Sequence, residues 1–399
     1  MMNFELSKKS KHLLAELKHW SVNDVRPFAR EADDTYKYVF AVSETLPKCP
    51  ISNNPLDFWY TGPGVPGHEN DWAYNAELNG GKSVLGLLAT EAIYAGDGLA
   101  WQVLPGSNLA ETAVRRLGNQ QQIEKWADGI QRGDYALTSI CMTEKHCGLD
   151  LSQIKTTATK RGDKWILSGN KHYISHGAIS DYLVVIAQTQ PGSGFAGTRA
   201  FVVDRQDPGL VVTNDCIEKL GTRYFRQAVL EFHDIELDED RLLDNGTLID
   251  FMTVLNGTRP YCAASGIGIA RGMLEYALEW IDKHDKPWSP RRKDRIQQIK
   301  DESEAALDRA TNMCLRAAWV HDQGEADNVL AQKAKGYAAP IFQGVAAKAL
   351  QLMGPEGASK EHLIEKWYRD VKFFDIVEGT RNLHRIAVAR QEFGKAVAA

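Results

Sequence analysis

The chain has 399 residues, of which 43% are hydrophobic, so it can bury one large core or divide its core among two or three domains. Its formal net charge of −5 argues against the broad basic surface of a nucleic-acid or anionic-membrane binder, and its one dense basic cluster, at 291–295, contains an acid. No window approaches eighteen uninterrupted apolar residues, so the sequence predicts no membrane-spanning helix.

The amino-terminal third, to about residue 135, has apolar residues at intervals of three and four, which is typical of amphipathic helices. The clearest segments are KHLLAELKHWSVNDVRPFA, at 11–29, and SVLGLLATEAIYAGDGLA, at 83–100. Between them, a stretch rich in Pro, Gly and Asn at 50–71 predicts a long surface loop. We therefore predict an all-helical domain over residues 1–135.

Between 136 and 245 the pattern changes to runs of β-branched and aromatic residues separated by turn residues. Residues 156–174 predict a hairpin with Gly162 and Asp163 at its turn. Further strands are predicted in DYLVVIAQT, TRAFVVD, GLVVTND and QAVLEFHDIEL. Several short strands with glycine-marked turns predict a middle β domain that is a small sandwich or barrel.

From 246 to 399 the helical period returns in several long segments with short links, which predict an antiparallel bundle. Pro260 and Pro340 fall within these segments, where a proline kinks or starts a helix. The predicted fold class is α+β, with an N-terminal all-helical domain (1–135), a middle β-barrel or sandwich domain (136–245) and a C-terminal helical bundle (246–399).

Two short motifs carry groups suited to ligand binding. CMTEKHCGLD, at 141–150, offers the Thr143 hydroxyl and a glycine, Gly148, that lets backbone approach a ligand; the alternative is a polar loop with an Asx turn. KHYISHGA, at 171–178, presents either a contact for a flat ring or a plain strand edge through the triplet Tyr173, Ile174 and Ser175.

Two further motifs lie in the C-terminal part. QLMGPEG, at 351–357, predicts a helix end, with Gly354 as a natural terminator. DIVEGTRN, at 375–382, places Glu378 before a Gly-Thr turn and a strongly helical tail. An acid at this position either caps the following helix, where it gains from the helix dipole, or acts as a base in a closed site.

In their order and spacing these motifs resemble one family, the FAD-dependent acyl-CoA dehydrogenases. The resemblance covers most of the chain and runs through EAIYAGDGLA (91–100), LGNQQQIEKW (117–126), MTEKHCGLD, LSGNKHYIS, EKLGTR (218–223), TRPYCAASGIGIARGMLEYAL (258–278), QLMGPEG and VEGT. It implies an N-terminal helical domain, a middle β domain and a C-terminal four-helix bundle, which is the division that the periodicity predicts.

The resemblance implies a role for Glu378. In the family, the glutamate of the EGT motif removes the pro-R α-proton of an acyl-CoA thioester while the β-hydride moves to flavin N5. Because this α-proton is only weakly acidic, its removal needs a placed base and stabilisation of the enolate. The backbone N–H of Glu378, with a flavin ribityl hydroxyl, would bind the thioester carbonyl. A carboxylate closed in beside an acyl chain should have a raised pKa.

The resemblance also implies binding residues. Thr143 would contact the pyrimidine end of the flavin, Ser175 its N5 edge and Tyr173 its face. The implied FAD-binding residues are Met142, Thr143, Gly148, Tyr173, Ile174, Ser175, Gln351, Gly354, Thr380 and Asn382. The implied substrate-binding residues are Leu149, Arg259 and Gly379. For Arg259 the alternative is an ion pair on a helix surface.

Several positions depart from the family pattern. Leu149 replaces the serine of the family's GSD motif, Val377 stands where a tyrosine often precedes the base, and Pro355 replaces the second glycine of GGxG. The family's R-x-x-F-G motif, which contacts the FAD pyrophosphate of a partner subunit, is not recognisable at 283–295, and spacing does not choose among Arg291, Arg292 and Arg295. These departures indicate a divergent member with an unusual substrate or an atypical assembly.

Three functions stay open from the sequence. The first is a dehydrogenase that desaturates an acyl-CoA and passes electrons to an electron-transfer flavoprotein. The second is an oxygen-using monooxygenase or oxidase of the same fold, against which the retained Glu378 argues. The third is a non-catalytic subunit. The family implies tetramers, and a homotetramer, a dimer and a heterotetramer all remain as alternatives.

Six cysteines without a CxxC pair favour reduced thiols inside a cell and argue against structural zinc. The first twenty residues resemble neither a signal peptide nor an Arg-rich transit peptide, so we expect the cytoplasm of a bacterium, with a mitochondrial matrix as the alternative. Histidines near the motifs lack metal-ligand spacing and are interpreted as ordinary polar or core residues: His172, His176 and His384.

Overall fold

The computed structural model describes residues 6–51, 82–104, 109–148, 150–284, 288–323 and 328–394. The loop predicted at 50–71 therefore lies, from residue 52 onward, outside the described residues, as does Leu149. The chain forms two compact units. We call them the helical unit (Met1–Leu104, Leu220–Tyr224 and Leu255–Ala399) and the sheet unit (Pro105–Lys219 and Phe225–Val254).

The helices occupy the two ends of the chain. Before the sheet they are α1 (Lys8–Trp20), α2 (Ala29–Thr35), α3 (Val39–Thr45), α4 (Lys82–Gly96), α5 (Leu99–Val103), α6 (Leu109–Leu117), α7 (Gln120–Gln122) and α8 (Asp128–Arg132). After the sheet they are α9 (Leu248–Lys283), α10 (Pro290–Asp322), α11 (Asn328–Met353), α12 (Ile364–Val371), α13 (Phe373–Ile376) and α14 (Arg381–Phe393). Within the described ranges, no helix combines the length and the apolar character that crossing a bilayer requires.

The C-terminal helices form by burying one apolar face. In α11 the buried residues recur at intervals of three and four and include Ala331, Ala334, Ala338, Phe342 and Val345. Of these, Ala334, Ala338, Phe342 and Val345 pack in one core with residues of α4, α9 and α10. The two prolines expected to kink or start helices lie inside α9 and α11, which continue past them, so neither proline starts a helix.

The sheet unit contains one mostly antiparallel sheet. Its strands are β1 (Thr138–Cys141), β2 (Thr157–Arg161), β3 (Lys164–Ser175), β4 (Tyr182–Gln188), β5 (Thr198–Asp204), β6 (Leu210–Asn214), β7 (Gln227–Asp238) and β8 (Leu242–Leu243). The order is β6-β7-β3-β2-β4-β5-β8, and β1 pairs with β4 in parallel. The predicted hairpin is present, because Arg161 pairs with Lys164 across a turn at Gly162, whose φ is 64°.

Strand β4 is buried along its whole length because both of its faces are covered. Tyr182, Val184 and Ile186 pack with helices of the same unit, whereas Leu183 and Val185 pack with side chains of β3 and β7. The structure confirms the predicted α+β class, with helical N- and C-terminal regions around a central sheet. The domain boundaries near 135 and 245 stay predictions, since two compact units do not delimit three domains.

A buried group of charges, which we call the Lys366 cluster, holds segment 220–224 in the helical unit. Lys366 Nζ lies 2.9 Å from Asp97 Oδ2 and 2.8 Å from Asp370 Oδ2, and all three side chains are fully buried. The backbone N–H of Thr222 donates to Asp370 Oδ1, and the Lys366 ammonium lies 4.7 Å from the centre of the Tyr224 ring. Paired in this way, the three charges satisfy one another inside the core.

Candidate active site

Glu378 occupies a strained turn between α13 and α14. Its φ is 57°, a left-handed conformation that costs a residue with a Cβ about 1–2 kcal/mol. Gly379 follows with a φ of 103°, where a side chain would be strained and would meet the ring of His384. Two successive positive φ values reverse the chain direction after α13 and turn it into α14. The surrounding structure must therefore hold Glu378 in place.

The helix that follows is capped by Thr380 and not by Glu378. Thr380 is the N-cap residue of α14, and its Oγ1 accepts a hydrogen bond of 3.4 Å from the backbone N–H of Leu383. The Glu378 carboxylate instead accepts a hydrogen bond of 2.9 Å from Thr258 Oγ1 on α9. The interpretation of Glu378 as a helix-capping acid is therefore wrong.

The surroundings of Glu378 raise the pKa of its carboxyl group above the ordinary value. Burial is the largest cause, while the Lys335 ammonium, the Thr258 hydroxyl and the Arg259 guanidinium all favour the charged form and oppose it. The residue as a whole keeps some exposure to solvent. A carboxylate with a raised pKa is better matched to proton abstraction near neutral pH.

Lys335 of α11 lies directly beneath this turn. Its side chain is fully buried, and its Nζ donates hydrogen bonds of 2.6 Å to the carbonyl of Val377 and 3.0 Å to the carbonyl of Gly379. Within the described residues, no carboxylate oxygen lies within 4.0 Å of this ammonium. Its hydrogen bonds to the backbone go to the two carbonyls on either side of Glu378, and the Cys262 thiol of α9 also interacts with it.

Arg259, predicted to bind substrate, lies one residue beyond Thr258 on α9. Only 8% of the residue is exposed, and its Nη1 donates a hydrogen bond of 3.0 Å to Asn256 Oδ1. Burial lowers the pKa of its guanidinium, and the Glu378 carboxylate opposes that change. The alternative of a helix-surface ion pair is wrong, because the side chain is buried.

The sheet unit assembles a second group of predicted residues around the 142–144 loop. Lys171 of β3 is fully buried, and its Nζ donates hydrogen bonds of 3.0 Å to the Met142 carbonyl and 2.9 Å to Glu144 Oε1. The His172 backbone N–H donates to the Thr143 carbonyl at 2.9 Å. These bonds fix Thr143 against β3, and Gly148 lies beside it, since a Cβ there would be 3.7 Å from Thr143 Cγ2.

A bulge in strand β3, after Lys171, turns Tyr173 outward. The pairing of β3 with β7 shifts register between Lys171 and Ile174, and Tyr173 within that interval has a φ of 59° and is 50% exposed. Ile174 is buried, whereas Ser175 is only partly buried and its Oγ accepts a weak hydrogen bond of 3.4 Å from Gln227. The bulge therefore presents an aromatic face and a hydroxyl within three residues.

Comparisons with known proteins decide the family. The family model described as "Acyl-CoA dehydrogenase, C-terminal domain" matches residues 248–393, and the model for the middle domain of the same family matches 139–235. The cyclohex-1-ene-1-carbonyl-CoA dehydrogenase of Geobacter metallireducens is 31% identical over 258 residues, which are 64% of this chain and 68% of that protein. The chain belongs to the acyl-CoA dehydrogenase family.

Solved structures of acyl-CoA dehydrogenases share the whole fold. Butyryl-CoA dehydrogenase from Megasphaera elsdenii is 24% identical, with a TM-score of 0.82 over 98% of this chain and 100% of that one. A glutaryl-CoA dehydrogenase from Mycobacterium smegmatis in complex with FADH2 is 20% identical, with a TM-score of 0.82 over 98% of this chain and 96% of that one. As a member of the family, this protein is an oxidoreductase that uses FAD, as the sequence predicted.

The sheet-unit residues around the 142–144 loop fit a flavin ring. In the described part of the chain, the Thr143 hydroxyl makes no hydrogen bond and the buried Nδ1 of His172 has no partner. An exposed aromatic ring, Tyr173, lies next to His172, with 5.4 Å between the ring centres. Unused hydroxyl and ring nitrogen atoms beside an exposed aromatic face are the groups that a flat heteroaromatic ring with polar edges requires.

Two predicted FAD residues lie far from the Glu378 turn. Gln351 is exposed near the end of α11, and Gly354, with a φ of 64°, ends that helix. Because Lys335 touches the Glu378 turn and Gln351 comes sixteen residues later, about 24 Å of helix separates them. Of the arginines that spacing could not choose among, Arg292 lies at this end, donating to the Leu352 carbonyl at 3.3 Å. Asn382 is exposed on the first turn of α14.

Sequence reasoning missed Lys335, Thr258 and Lys171. Lys335 could have been found from the sequence. Ala331, Ala338 and Phe342 define an apolar face at helical spacing, and Lys335 is a charged residue on that face. Thr258 carried no such signal, since it precedes Arg259 within an ordinary helical pattern. Among the histidines interpreted as polar or core residues, His384 is fully buried, and burial lowers the pKa of its ring to about 3.

Proposed function

We propose that this protein catalyses α,β-dehydrogenation of an acyl-CoA thioester, with Glu378 as the base. One observation carries the proposal: a partly buried carboxylate with a raised pKa, aligned by the Thr258 hydroxyl, lies in a turn that does not use it as a helix cap. Membership of the acyl-CoA dehydrogenase family supports the reaction class. The details of mechanism, substrate and electron acceptor are our proposal.

Glu378 takes the α-proton, and the electron pair of that C–H bond becomes the second bond between the α- and β-carbons. FAD, when bound, would supply the oxidising power that takes up the β-hydrogen together with its electron pair. Within the described residues, the backbone N–H of Glu378 makes no hydrogen bond, so it is free to donate to the thioester carbonyl. That donation stabilises the negative charge that develops on the carbonyl oxygen as the α-proton leaves.

The remaining predicted residues are assigned as follows. Thr143 and Ser175 bind the polar edges of the flavin ring, and Tyr173 lies against its face. Met142, Gly148 and Ile174 shape the same site. Residues for the rest of FAD are Gln351, Gly354, Thr380 and Asn382. Gly379 and the buried cation Arg259 would border the thioester, and Leu149, which lies outside the described residues, is assigned to substrate binding from its motif position alone.

We propose an electron-transfer flavoprotein as the electron acceptor, a homotetramer as the assembly and the bacterial cytoplasm as the location. The bacterial origin of the similar Geobacter dehydrogenase supports the location. The acyl group is a fatty or alicyclic chain. The three thioesters to try first follow the acyl groups named for the similar proteins, with the ring saturated so that each has an α-hydrogen for the base to remove: cyclohexane-1-carbonyl-CoA, butyryl-CoA and glutaryl-CoA.

The test is the visible spectrum of the purified protein under anaerobic conditions, before and after addition of each of the three thioesters. We expect flavin absorbance that bleaches with at least one of them. Glu378→Gln should keep the bound flavin and lose bleaching by about 10²-fold or more, because removal of a general base costs about this factor. The exposed Glu361 supplies the matched control, and Glu361→Gln should bleach like the wild type.

Three results would contradict the proposal. If Glu378→Gln bleached as fast as the wild type, Glu378 would not be the base. If bound flavin stayed oxidised with every thioester, the oxygen-using alternative or a substrate without CoA would replace acyl-CoA dehydrogenation. Purified protein without flavin would instead favour a non-catalytic subunit.

A further inference from the structure

The Glu378 turn has a carbonyl oxygen on each side of the proposed base, and both point at the same atom. Lys335 Nζ lies 2.6 Å from the carbonyl oxygen of Val377 and 3.0 Å from that of Gly379. The ammonium is fully buried and belongs to a different helix, 43 positions earlier in the chain. One side chain therefore spans the residue whose backbone is in the left-handed conformation.

We propose that Lys335 is a positioning residue for proton abstraction: by binding the carbonyls of Val377 and Gly379, it holds the backbone of Glu378 in the left-handed conformation that aims the carboxylate. This inference rests on the proposed role of Glu378. Bonds from a charged donor are about twice as strong as neutral ones, and both acceptors are next to the strained residue. A one-ångström displacement of a catalytic group costs about 10²-fold in rate, so keeping the Glu378 backbone in position matters for catalysis.

Close packing between α11 and α14 lets Lys335 reach the turn. The next residue, Gly336, approaches α14 so closely that a Cβ there would lie 3.2 Å from the Cβ of His384. A Cβ at this position would require His384 to shift by a few tenths of an ångström, so the two helices are in close contact here. Lys335 can span both carbonyls because α11 lies this close.

Lys335 also acts on the charge of Glu378. Of the groups around Glu378 that favour its ionised form, the Lys335 ammonium has the largest effect, ahead of Thr258 and Arg259 of α9. The other titratable groups that border the turn are Cys262 of α9, Asp375 of α13 and His384 of α14. Cys262 and His384 are uncharged near neutral pH, because burial raises the pKa of the thiol to about 12 and lowers that of the imidazole to about 3. Asp375 is engaged by Lys372, whose Nζ is 2.8 Å from Asp375 Oδ2.

The test compares Lys335→Met and Lys335→Arg with Lys333→Met. Lys333 is the matched control because it lies two positions away on α11 and is solvent-exposed, where it pairs with Glu392. The first measurement needs no substrate: difference infrared spectroscopy of the carboxyl band across pH, with the band of Glu378 identified by its loss in Glu378→Gln. Lys335→Met should move the titration of Glu378 to higher pH, whereas Lys335→Arg, which keeps the charge, should leave it nearer the wild type.

The second measurement is the rate of anaerobic flavin bleaching by the thioester that reduces the wild type fastest among butyryl-CoA, glutaryl-CoA and cyclohexane-1-carbonyl-CoA. We expect Lys335→Met to lose about 10- to 100-fold in this rate, Lys335→Arg to recover part of it, and Lys333→Met to match the wild type. Amide hydrogen exchange of the peptide that contains 377–380 should be faster in Lys335→Met alone. If Lys335→Met does not fold, Lys335→Gln, which keeps a donor without a charge, replaces it in every comparison.

The outcomes separate this inference from the proposed function. If Lys335→Met matched Lys333→Met in the titration of Glu378 and in the bleaching rate, the positioning role would be overturned even with Glu378 as the base. If Glu378→Gln kept the wild-type bleaching rate, the proposed function would fail, whatever the infrared titration of the Lys335 variants gave. A loss of rate in Lys335→Met that Lys335→Arg restores, with the shifted titration, supports the inference.

Discussion

Two buried lysines in the helical unit, Lys366 and Lys335, have different partners and different roles. Lys366 has two carboxylate partners, Asp97 and Asp370, both within 3 Å and both fully buried. Lys335 is equally buried but binds two backbone carbonyls beside Glu378. The first charge is neutralised within its own cluster. The second is left to act on the carboxylate of the proposed base.

The pKa of Lys366 shows what that neutralisation does. Burial alone would lower the pKa of this ammonium, but the nearby carboxylates of Asp370 and Asp97 outweigh it and raise the pKa. The charges of the Lys366 cluster thus pair within the cluster. The cluster holds the 220–224 segment and does not include Glu378. The comparison predicts that replacing Lys366 mainly changes stability, whereas replacing Lys335 mainly changes the active site.

The largest expected effect is the loss of stability in Lys366→Met. Removing the ammonium leaves Asp97 and Asp370 buried without their cation, and breaking a buried pair in this way costs about 3–5 kcal/mol. Urea denaturation followed by far-UV circular dichroism checks this, with Lys333→Met as the exposed control expected within about 0.5 kcal/mol of the wild type. A loss below about 1 kcal/mol in Lys366→Met would mean that the cluster does not hold the fold.

The next effect is smaller and falls on the other lysine. Lys335→Met leaves two carbonyls without a donor, which costs about 1–3 kcal/mol in the same denaturation experiment. The comparison is sharpest when both variants are also titrated by infrared spectroscopy. Glu378 should keep its titration in Lys366→Met and shift only in Lys335→Met. A shift of equal size in both variants would mean that Lys366 affects the titration of Glu378 as strongly as Lys335 does.

Thr258→Val gives a third, weaker effect on the same carboxylate. The Thr258 hydroxyl donates to Glu378 Oε2 at 2.9 Å and lowers the pKa of that group, but less than Lys335 does. Without the hydroxyl, the pKa of Glu378 should rise, so the base stays protonated to a higher pH and the acid limb of the pH–rate profile moves to higher pH. The displacement should be smaller than in Lys335→Met. The reverse order would mean that the Thr258 hydroxyl favours the ionised form of Glu378 more strongly than the Lys335 ammonium does.

The sequence predicted the fold class well because the change between helical and alternating periods is a local property. The hairpin at 156–174 was also predictable, since Gly162 marks its turn and the flanking residues alternate. Glu378 was identified as the catalytic candidate from its motif. Its freedom from a capping role was not predictable, because Thr380 and Glu378 are both plausible caps until the turn geometry is known.

The pairing of distant charges was beyond sequence reasoning. Asp97 and Lys366 are 269 positions apart, and only the packing of helices brings them within 3 Å. Lys335 was detectable as a charged residue on an apolar helix face, but its partners are backbone carbonyls, which every residue has. No residue pattern can therefore identify them. The grouping of α6–α8 with the sheet unit was missed for the same reason, since helical periodicity does not say which core a helix joins.

The smallest expected effect returns to Glu378 and concerns stability across pH. Its pKa is raised in the folded protein, chiefly by burial, so between the unfolded value near 4.3 and the folded value the native state binds more protons. Stability from this group is therefore present at low pH and is lost as pH rises through the folded pKa.

Glu378→Gln has no carboxyl group to ionise, so it does not lose this stability as pH rises. It should stabilise the protein at pH 7 by about 0.5–1 kcal/mol, at the lower end for stabilising substitutions. The gain should disappear below pH 4 in paired denaturation curves, because Glu378 is then protonated in both states. A variant that was less stable at pH 7 would mean that the attraction of Lys335 and Arg259 outweighs burial, and the Glu378 carboxylate would then be a structural partner of those cations.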